Sequence, residues 1–504
     1  MPTSYWLVRA LLLRAVGFVY FVAFAILVFQ ARPLLGSEGL LPVGAFLEAA
    51  REHYGGAGAA FLRLPSLFWL SSSDGALAAL SFTGLVLSIA MMAGLSNAPL
   101  LLLNWALYLS FTHVGQIFYG YGWDTLLCET GFLAVFLAPP WRPRELDPRS
   151  PPPLVVIVLL RWLLFRLMFG AGLIKIRGDE CWRDLTCLVY HYETQPNPSP
   201  LSWYFHHLPR GVHQAGVLFN HFVELVVPFG VFGPRIVRLA ACAFTIAFQV
   251  VLILSGNLSF LNWLTIVIAL ALLDDAALAR LVPGRLRERL QQKLESLRES
   301  ALVPGRARLI AVWGYAVVVM ILSLDPIVNL LSERQRMNAS FEPLNLVNTY
   351  GAFGSIGRER LEVVLEGTSA ERIEAQTLWK EYEFPCKPGD VRRRPCLITP
   401  YHHRLSWQLW FAPFGDFRSQ PWILNLVYKL LRGEPEPRSL LASDPFPDRP
   451  PRFIRARLYR YSFTSSRADG AWWQRELVGE YLQPLSLEHR DFRRYLAARG
   501  WLKD

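Results

Sequence analysis

Charge is scarce in this chain: Asp, Glu, Lys and Arg make up 18% of its 504 residues, while 53% are hydrophobic and 13% aromatic. Soluble domains carry about 25% charged residues and are rarely so apolar, which points away from an ordinary water-soluble protein. Cysteine is sparse too, at 6, and no pair has the Cys-x-x-Cys spacing of a redox motif or zinc knuckle. Direct thiol–disulfide catalysis is therefore not expected. Missing as well are Gly-x-Ser-x-Gly, His-Glu-x-x-His, P-loop and dinucleotide-binding patterns, which removes the usual lipase, protease, ATPase and nucleotide-linked redox chemistries. No cofactor is implied. The net charge of +11 would suit nucleic acid only as a basic stripe in a polar domain. Here the arginines gather at the ends of apolar runs, where they act as topology signals, and no nucleic-acid partner is expected.

Long hydrophobic runs are what the chain has in abundance. The first, from about Val8 to Phe29, is long enough to span a bilayer and continues into Gln-Ala-Arg-Pro without a small-residue cleavage site, so it reads as a retained anchor. Further spans are expected near 75–95, 98–119, 123–138, 154–176, 213–231, 236–255, 257–273 and 308–328, nine in all. Those at 123–138 and 257–273 are short against the roughly 20 residues a span needs, and read as tilted, re-entrant or extended by their flanks. With the N-terminus in the cytoplasm, the connection 139–153 falls inside with Arg142, Arg144 and Arg149, and the connections near 120 and 256 fall outside without Lys or Arg. The segment 274–307 also falls inside; Arg285, Arg287, Arg289, Lys293 and Arg298 suit either a helix lying on an anionic leaflet or a solvated connector.

After Val328 the hydrophobic spans stop. The expected organisation is a polytopic α-helical membrane domain over 1–330 and a β-rich extracytoplasmic domain over 335–504. Strands are predicted at RLEVVLEG (360–367), LWKEYEF (378–384), LSWQLWF (405–411) and RFIRARLYRYSF (452–463), a helix in PWILNLVYKLLRG, and a last helix near 487–498. Between the spans, the segment 177–212 forms a polar, aromatic loop in which Pro196, Pro198 and Pro200 forbid regular structure. This topology puts Cys181, Cys187, Cys386 and Cys396 on the oxidising side. Bridges Cys181–Cys187 and Cys386–Cys396 would each close a small loop and contribute roughly 2–4 kcal/mol, while pairing between the two regions remains open.

Several polar residues fall at membrane depth, where burying a charge costs at least ~2.5–3.5 kcal/mol. Asp124 and Glu129, then Arg161, Arg166 and Lys175, then His221 and Glu224 are candidates for one internal ionic cluster. Two readings stay open: charges paired to fix helix packing, or a cavity with acid and base groups in which Lys175, Glu129, His221 and Glu224 are the catalytic candidates. The adjacent histidines His206–His207 and His402–His403 lack partner Cys or carboxylates at fixed spacing and read as packing residues, so no metal site is expected.

The stretch RWLLFRLMFGAGLIKIRGDECWRDLTCLVYHYETQPNPSPLSWYFHHLP at 161–209, with GWDTLLCETGFLAVFLAPP at 122–140, NLVNTYGAFGSIGRERLEVVLEG at 345–367 and WKEYEFPCKPGDVRRRPCLITPYHHRLSWQLWFA at 379–412, closely resembles the lipase maturation factor family. The resemblance covers almost the whole chain. It implies a membrane-embedded chaperone that helps secreted client proteins, lipases among them, to reach their active fold by binding, with no bond made. It further implies residence in the endoplasmic reticulum membrane for a eukaryotic member or the inner membrane for a bacterial one, the latter fitting an Ala-, Arg- and Gly-rich composition. Client-binding candidates are Trp182, Tyr190, His191, Tyr192 and Trp203 in the loop and Trp379, Trp410, Trp472 and Trp473 beyond it, with Trp407 expected in the core. GAGLIKI followed by Trp182 is more weakly similar to the horizontally acting transmembrane domain of vitamin K-dependent carboxylase, in which a lysine at this kind of helix end takes part in catalysis; that similarity marks Lys175 and keeps an integral membrane enzyme acting on a lipid or peptide as the alternative.

Overall fold

The structure, a computed structural model, describes residues 4–467 and 469–502. Among the described residues six helices are long and apolar enough to cross a membrane: α1 (Trp6–Leu35), α2 (Asp74–Met92), α5 (Leu154–Arg177), α6 (Arg210–Phe232), α7 (Arg235–Ser255) and α10 (Arg306–Leu331). Each coincides with an expected span. The other three expected spans are shorter helices, α3 (Ala98–Val114), α4 (Gly122–Leu137) and α8 (Leu261–Leu272). The basic segment 274–307 holds a short helix, Asp275–Arg280, and α9 (Gly284–Glu299).

Helix ends explain much of the local order. The orphan N–H groups of Trp6 and Leu7 that open α1 donate to the Asp275 carboxylate at 2.9 and 2.8 Å, so a residue far along the chain caps the first helix. Ser73 and Asn97 cap α2 and α3 by accepting from Ala76 and Leu100 N–H at 3.2 and 3.0 Å. Within α6 the hydrogen bonding widens to a π-helical turn over Phe222–Val226, just ahead of Pro228, whose ring excludes a normal bond to the preceding turn. That turn carries Glu224.

Beyond α10 the chain builds a four-stranded antiparallel sheet in the order β2-β1-β3-β4, from β1 (Arg360–Thr368), β2 (Lys380–Glu381), β3 (Phe453–Phe463) and β4 (Trp473–Leu485). β1 is buried along almost its whole length, while the edge strand β4 exposes Gln474 and Glu476, which discourages further pairing. The expected strands at 360–367 and 452–463 are present, and the 378–384 run contributes only Lys380–Glu381. LSWQLWF is instead a helix, α11 (Arg404–Phe411), and β4 was not anticipated. The amphipathic run after Pro421 forms α12 (Trp422–Leu431), and the last helix, α13, spans Arg490–Ala498.

The two regions share one hydrophobic core that runs from Tyr5 to Leu496. Gln30 on α1 donates to His402 O at 2.7 Å and accepts from Arg404 N–H at 2.9 Å, and Asn425 on α12 donates to Leu40 O at 2.7 Å. Segment 348–354 lies against α5 so closely that a Cβ on Gly170 would stand 2.6 Å from Tyr350 O, and one on Gly178 2.2 Å from Gly354 O. Glycine at those positions is what admits the segment.

Candidate functional site

The residues expected to make one intramembrane cluster form separate pairs. Arg166 on α5 is paired with Glu129 on α4, whose second oxygen accepts from Asn348 N–H at 3.0 Å and from Tyr350 Oη–H at 2.8 Å; Arg166 also donates to Asn348 O at 2.6 Å. Asp124 at the start of α4 takes both arms of Arg404 at 2.7 Å and the Tyr108 hydroxyl at 2.5 Å. Arg161 pairs with no carboxylate among the described residues and donates to Ala271 O at 3.0 Å and Tyr5 Oη at 2.9 Å. Pairing offsets much of the cost of burying such groups in an apolar bundle, although Arg166 Nε and Arg404 Nε are left without a hydrogen-bond partner.

Lys175, in the last turn of α5, lies opposite the π-helical turn of α6. Its Nζ donates to both Glu224 oxygens at 2.5 and 2.6 Å and to Asn220 Oδ1 at 3.2 Å, while Asn220 Nδ2 donates to Glu224 Oε2 at 3.0 Å. The ammonium also sits 5.2 Å from the centroid of the Trp182 ring. Of the four catalytic candidates, then, Lys175 and Glu224 come together and Glu129 belongs to another pair. His221 Nε2 donates to Trp182 O at 3.0 Å.

Lys175, Asn220 and Glu224 form one wall of a cavity of about 390 Å³. Its other walls come from α5, α6, α7 and α8, from the loop after α5, from residues 350–355 and from α11. His191 lines it, and burial beside the Lys175 charge holds its imidazole down at about 4.

Two regions of the chain match family models: residues 7–280 the lipase maturation factor transmembrane domain, and residues 346–483 the lipase maturation factor C-terminal domain. Lipase maturation factor 1 of Bos taurus is 47% identical over 99% of this chain and 92% of its own length. The chain belongs to the lipase maturation factor family. Human lipase maturation factor 1 is 45% identical over 99% of the chain and 91% of its own length, and human lipase maturation factor 2 is 33% identical over 95% and 82%. No solved structure matches the chain significantly. With six apolar helices of spanning length, this lipase maturation factor family member is a multi-pass membrane protein with a small C-terminal sheet.

The cysteines of this family member pair locally, Cys181 with Cys187 at a Cα separation of 4.8 Å and Cys386 with Cys396 at 5.1 Å, leaving Cys128 and Cys242 buried and free. The first pair staples the start of the 177–212 loop, where Trp182 packs beside it and donates to Phe353 O at 2.8 Å. The loop is sewn to the sheet by Arg360 of β1, which donates to Glu193 O and Pro196 O at 2.9 Å each and to Gln195 O. Trp203 Nε1 donates to Thr464 O at 2.9 Å, and Phe463 N–H donates to Glu193 at 2.7 Å.

Among the client-binding candidates, exposure divides them. Trp182, His191, Tyr192, Trp472 and Trp473 are buried, and Trp472 and Trp473 pack with Tyr461 and Phe463 behind the sheet instead of facing outward to a client. Trp407 is buried, as a core residue. Tyr190, Trp203, Trp379 and Trp410 are half-buried and keep a face at the surface. Sequence reasoning missed Asn220, Asn348, Tyr350 and Arg404. Asn348 and Tyr350 lie in NLVNTYG and Arg404 in HHRLSW, yet only a residue's distant partner marks it as part of the site.

Proposed function

We propose that this chain is a membrane-embedded maturation factor that binds secreted lipases during folding, acting by contact and making no bond. The observation that carries the reading is full-length identity of 45–47% to proteins named lipase maturation factor 1. The pairing of Asp124, Glu129 and Glu224 with Arg404, Arg166 and Lys175 supports it, because charges committed to packing fit a scaffold better than an acid–base centre. The client surface is the stapled 177–212 loop with the neighbouring sheet, presenting Tyr190, Trp203 and Trp410, and it lies on the lumenal or extracytoplasmic side. The membrane is that of the endoplasmic reticulum in a eukaryote and the inner membrane in a bacterium.

The test is secreted lipase activity, per unit of membrane-inserted chain, in cells co-expressing a secreted lipase. Cys181→Ser/Cys187→Ser removes a bridge worth roughly 2–3 kcal/mol to the loop and leaves the helix bundle intact, so maturation falls while abundance holds. Lys175→Met/Glu224→Leu removes the buried pair together, which avoids stranding one charge, and maturation stays near the parent level. The reverse pattern, with activity lost in the Lys175/Glu224 variant and retained in the cysteine variant, would overturn the binding reading.

A further inference from the structure

The cavity beside Lys175 has features that neither the ion pairs nor a client-binding loop requires. Leu167, Met168, Ala171, Phe219, Phe248 and Leu252, all on the membrane helices α5, α6 and α7, give it apolar walls. Val251 lines it as well and is 40% exposed on the outward face of α7, which places a rim of the cavity toward the hydrocarbon. Its volume, about 390 Å³, falls at the lower end of the roughly 300–1,000 Å³ of small-molecule sites, which suits one chain better than two.

The lining is neutral and incompletely satisfied. Lys175, its only Lys or Arg, is neutralised by Glu224. Four lining residues each carry a buried polar atom without a hydrogen-bond partner: Trp123 Nε1, Trp407 Nε1, Asn262 Oδ1 and His191 Nδ1. The side chains bearing them are at most 6% exposed. Buried donors and acceptors are costly to leave unmade, and the mixture of two indole donors with an amide acceptor fits hydroxyl and ester groups, which both donate and accept. An extended client segment fits poorly, because its backbone N–H and C=O groups would enter apolar walls without partners.

We propose that this cavity is a binding site for a neutral single-chain amphiphile, an acyl chain ending in a hydroxylated ester head such as a monoacylglycerol, entering laterally from the bilayer. The chain lies along α5, α6 and α7, and the head takes the unpartnered groups. This assignment stands independently of lipase maturation.

The full chain in phosphatidylcholine nanodiscs, labelled with monooleoylglycerol bearing a diazirine in its acyl chain, tests it. Saturable labelling of peptides from α5, α7 and α8 is expected, with competition by unlabelled monooleoylglycerol at least tenfold stronger than by oleate or by dioleoylphosphatidylcholine. Ala171→Phe, which fills the cavity, reduces labelling at least tenfold, whereas Val158→Phe, on the exposed side of α5, leaves it unchanged. Should Ala171→Phe fail to fold, competitor chain length on the parent chain decides: each CH2 removed weakens competition about fourfold. Labelling spread evenly over lipid-facing residues, insensitivity to chain length, or equal competition by oleate or phospholipid overturns the proposal. Displacement of the probe by client peptide alone also overturns it and assigns the cavity to the client.

Discussion

Replacing Arg404 by Met tests whether the C-terminal region is locked to the membrane helices through charge. Arg404 is fully buried, gives both guanidinium arms to Asp124 at 2.7 Å, donates to Phe118 O at 2.9 Å and lies 3.9 Å from the Tyr119 ring centroid. Met keeps the stem's apolar contacts but strands the Asp124 carboxylate in a dry site, which costs about 3–5 kcal/mol. Asp124→Asn leaves the guanidinium stranded instead and costs a similar amount. Removing both charges together deletes the pair and leaves only neutral groups to satisfy, so the double variant costs no more than either single one. The coupling energy is then at least about 3 kcal/mol. Denaturant unfolding of the purified chain in detergent micelles, followed by tryptophan fluorescence, measures all four corners of the cycle. Strictly additive losses would show that the two residues do not sense one another and refute the lock.

Acidification should destabilise the fold through His191. Its pKa is depressed from 6.5 to about 4 in the folded chain, so the unfolded chain takes up the proton first; stability is complete above about 6.5 and falls as pH drops toward 4. The share lost between pH 7.5 and 5.5 is about 1.3 kcal/mol, and His191→Asn should remove that part of the slope in unfolding measured at the two pH values; an unchanged slope refutes the assignment. For topology, single cysteines at the exposed positions 144 and 289 should resist a membrane-impermeant thiol reagent in intact cells or sealed vesicles, and cysteines at Leu201 and Leu397, which are 41% and 64% exposed, should react. Like behaviour at positions 144 and 201 would mean an even number of crossings between them and overturn the proposed sidedness.

Hydropathy made the membrane region legible because a span must satisfy its own backbone and present apolar side chains, and both demands are local. All six helices of spanning length lie where long apolar runs occur. Short-range cysteine pairing was readable for a similar reason, since six or ten residues of separation bring the pairs within reach. LSWQLWF misled because a period of two implies a wet opposite face, and here Ser406 and Gln408 between the apolar positions are buried as well. β4 escaped notice because it is an edge strand whose Glu and Arg residues mask alternation. Partners of the buried charges were beyond reach: Glu129 meets Asn348 and Tyr350 across 219 and 221 positions, and Asp124 meets Arg404 across 280. No local spacing encodes such a pairing.

Those long-range pairs bear on how the loop and sheet work together. Were residues 177–212 a free extracytoplasmic loop, the Cys181–Cys187 bridge would constrain only itself. Instead Arg360 holds the carbonyls of Glu193 and Pro196, and the same guanidinium pairs with Glu362 at 2.6 Å, which also takes Lys387 at 2.8 Å, the neighbour of Cys386 in the second bridge. Asn257, between α7 and α8, donates to Cys396 O at 2.9 Å and so ties that second bridge to the membrane helices. Both bridges thus flank one run of hydrogen bonds and ion pairs with Arg360 near its middle. Opening either one should loosen an anchor of the other, and on the proposed reading a client touching Trp203 on the loop would also meet the β3 end fixed by Phe463 and Thr464. If the proposed client surface is this disulfide-stapled unit, Cys181→Ser/Cys187→Ser and Cys386→Ser/Cys396→Ser should lower secreted lipase activity non-additively, and strictly additive losses would refute the coupling.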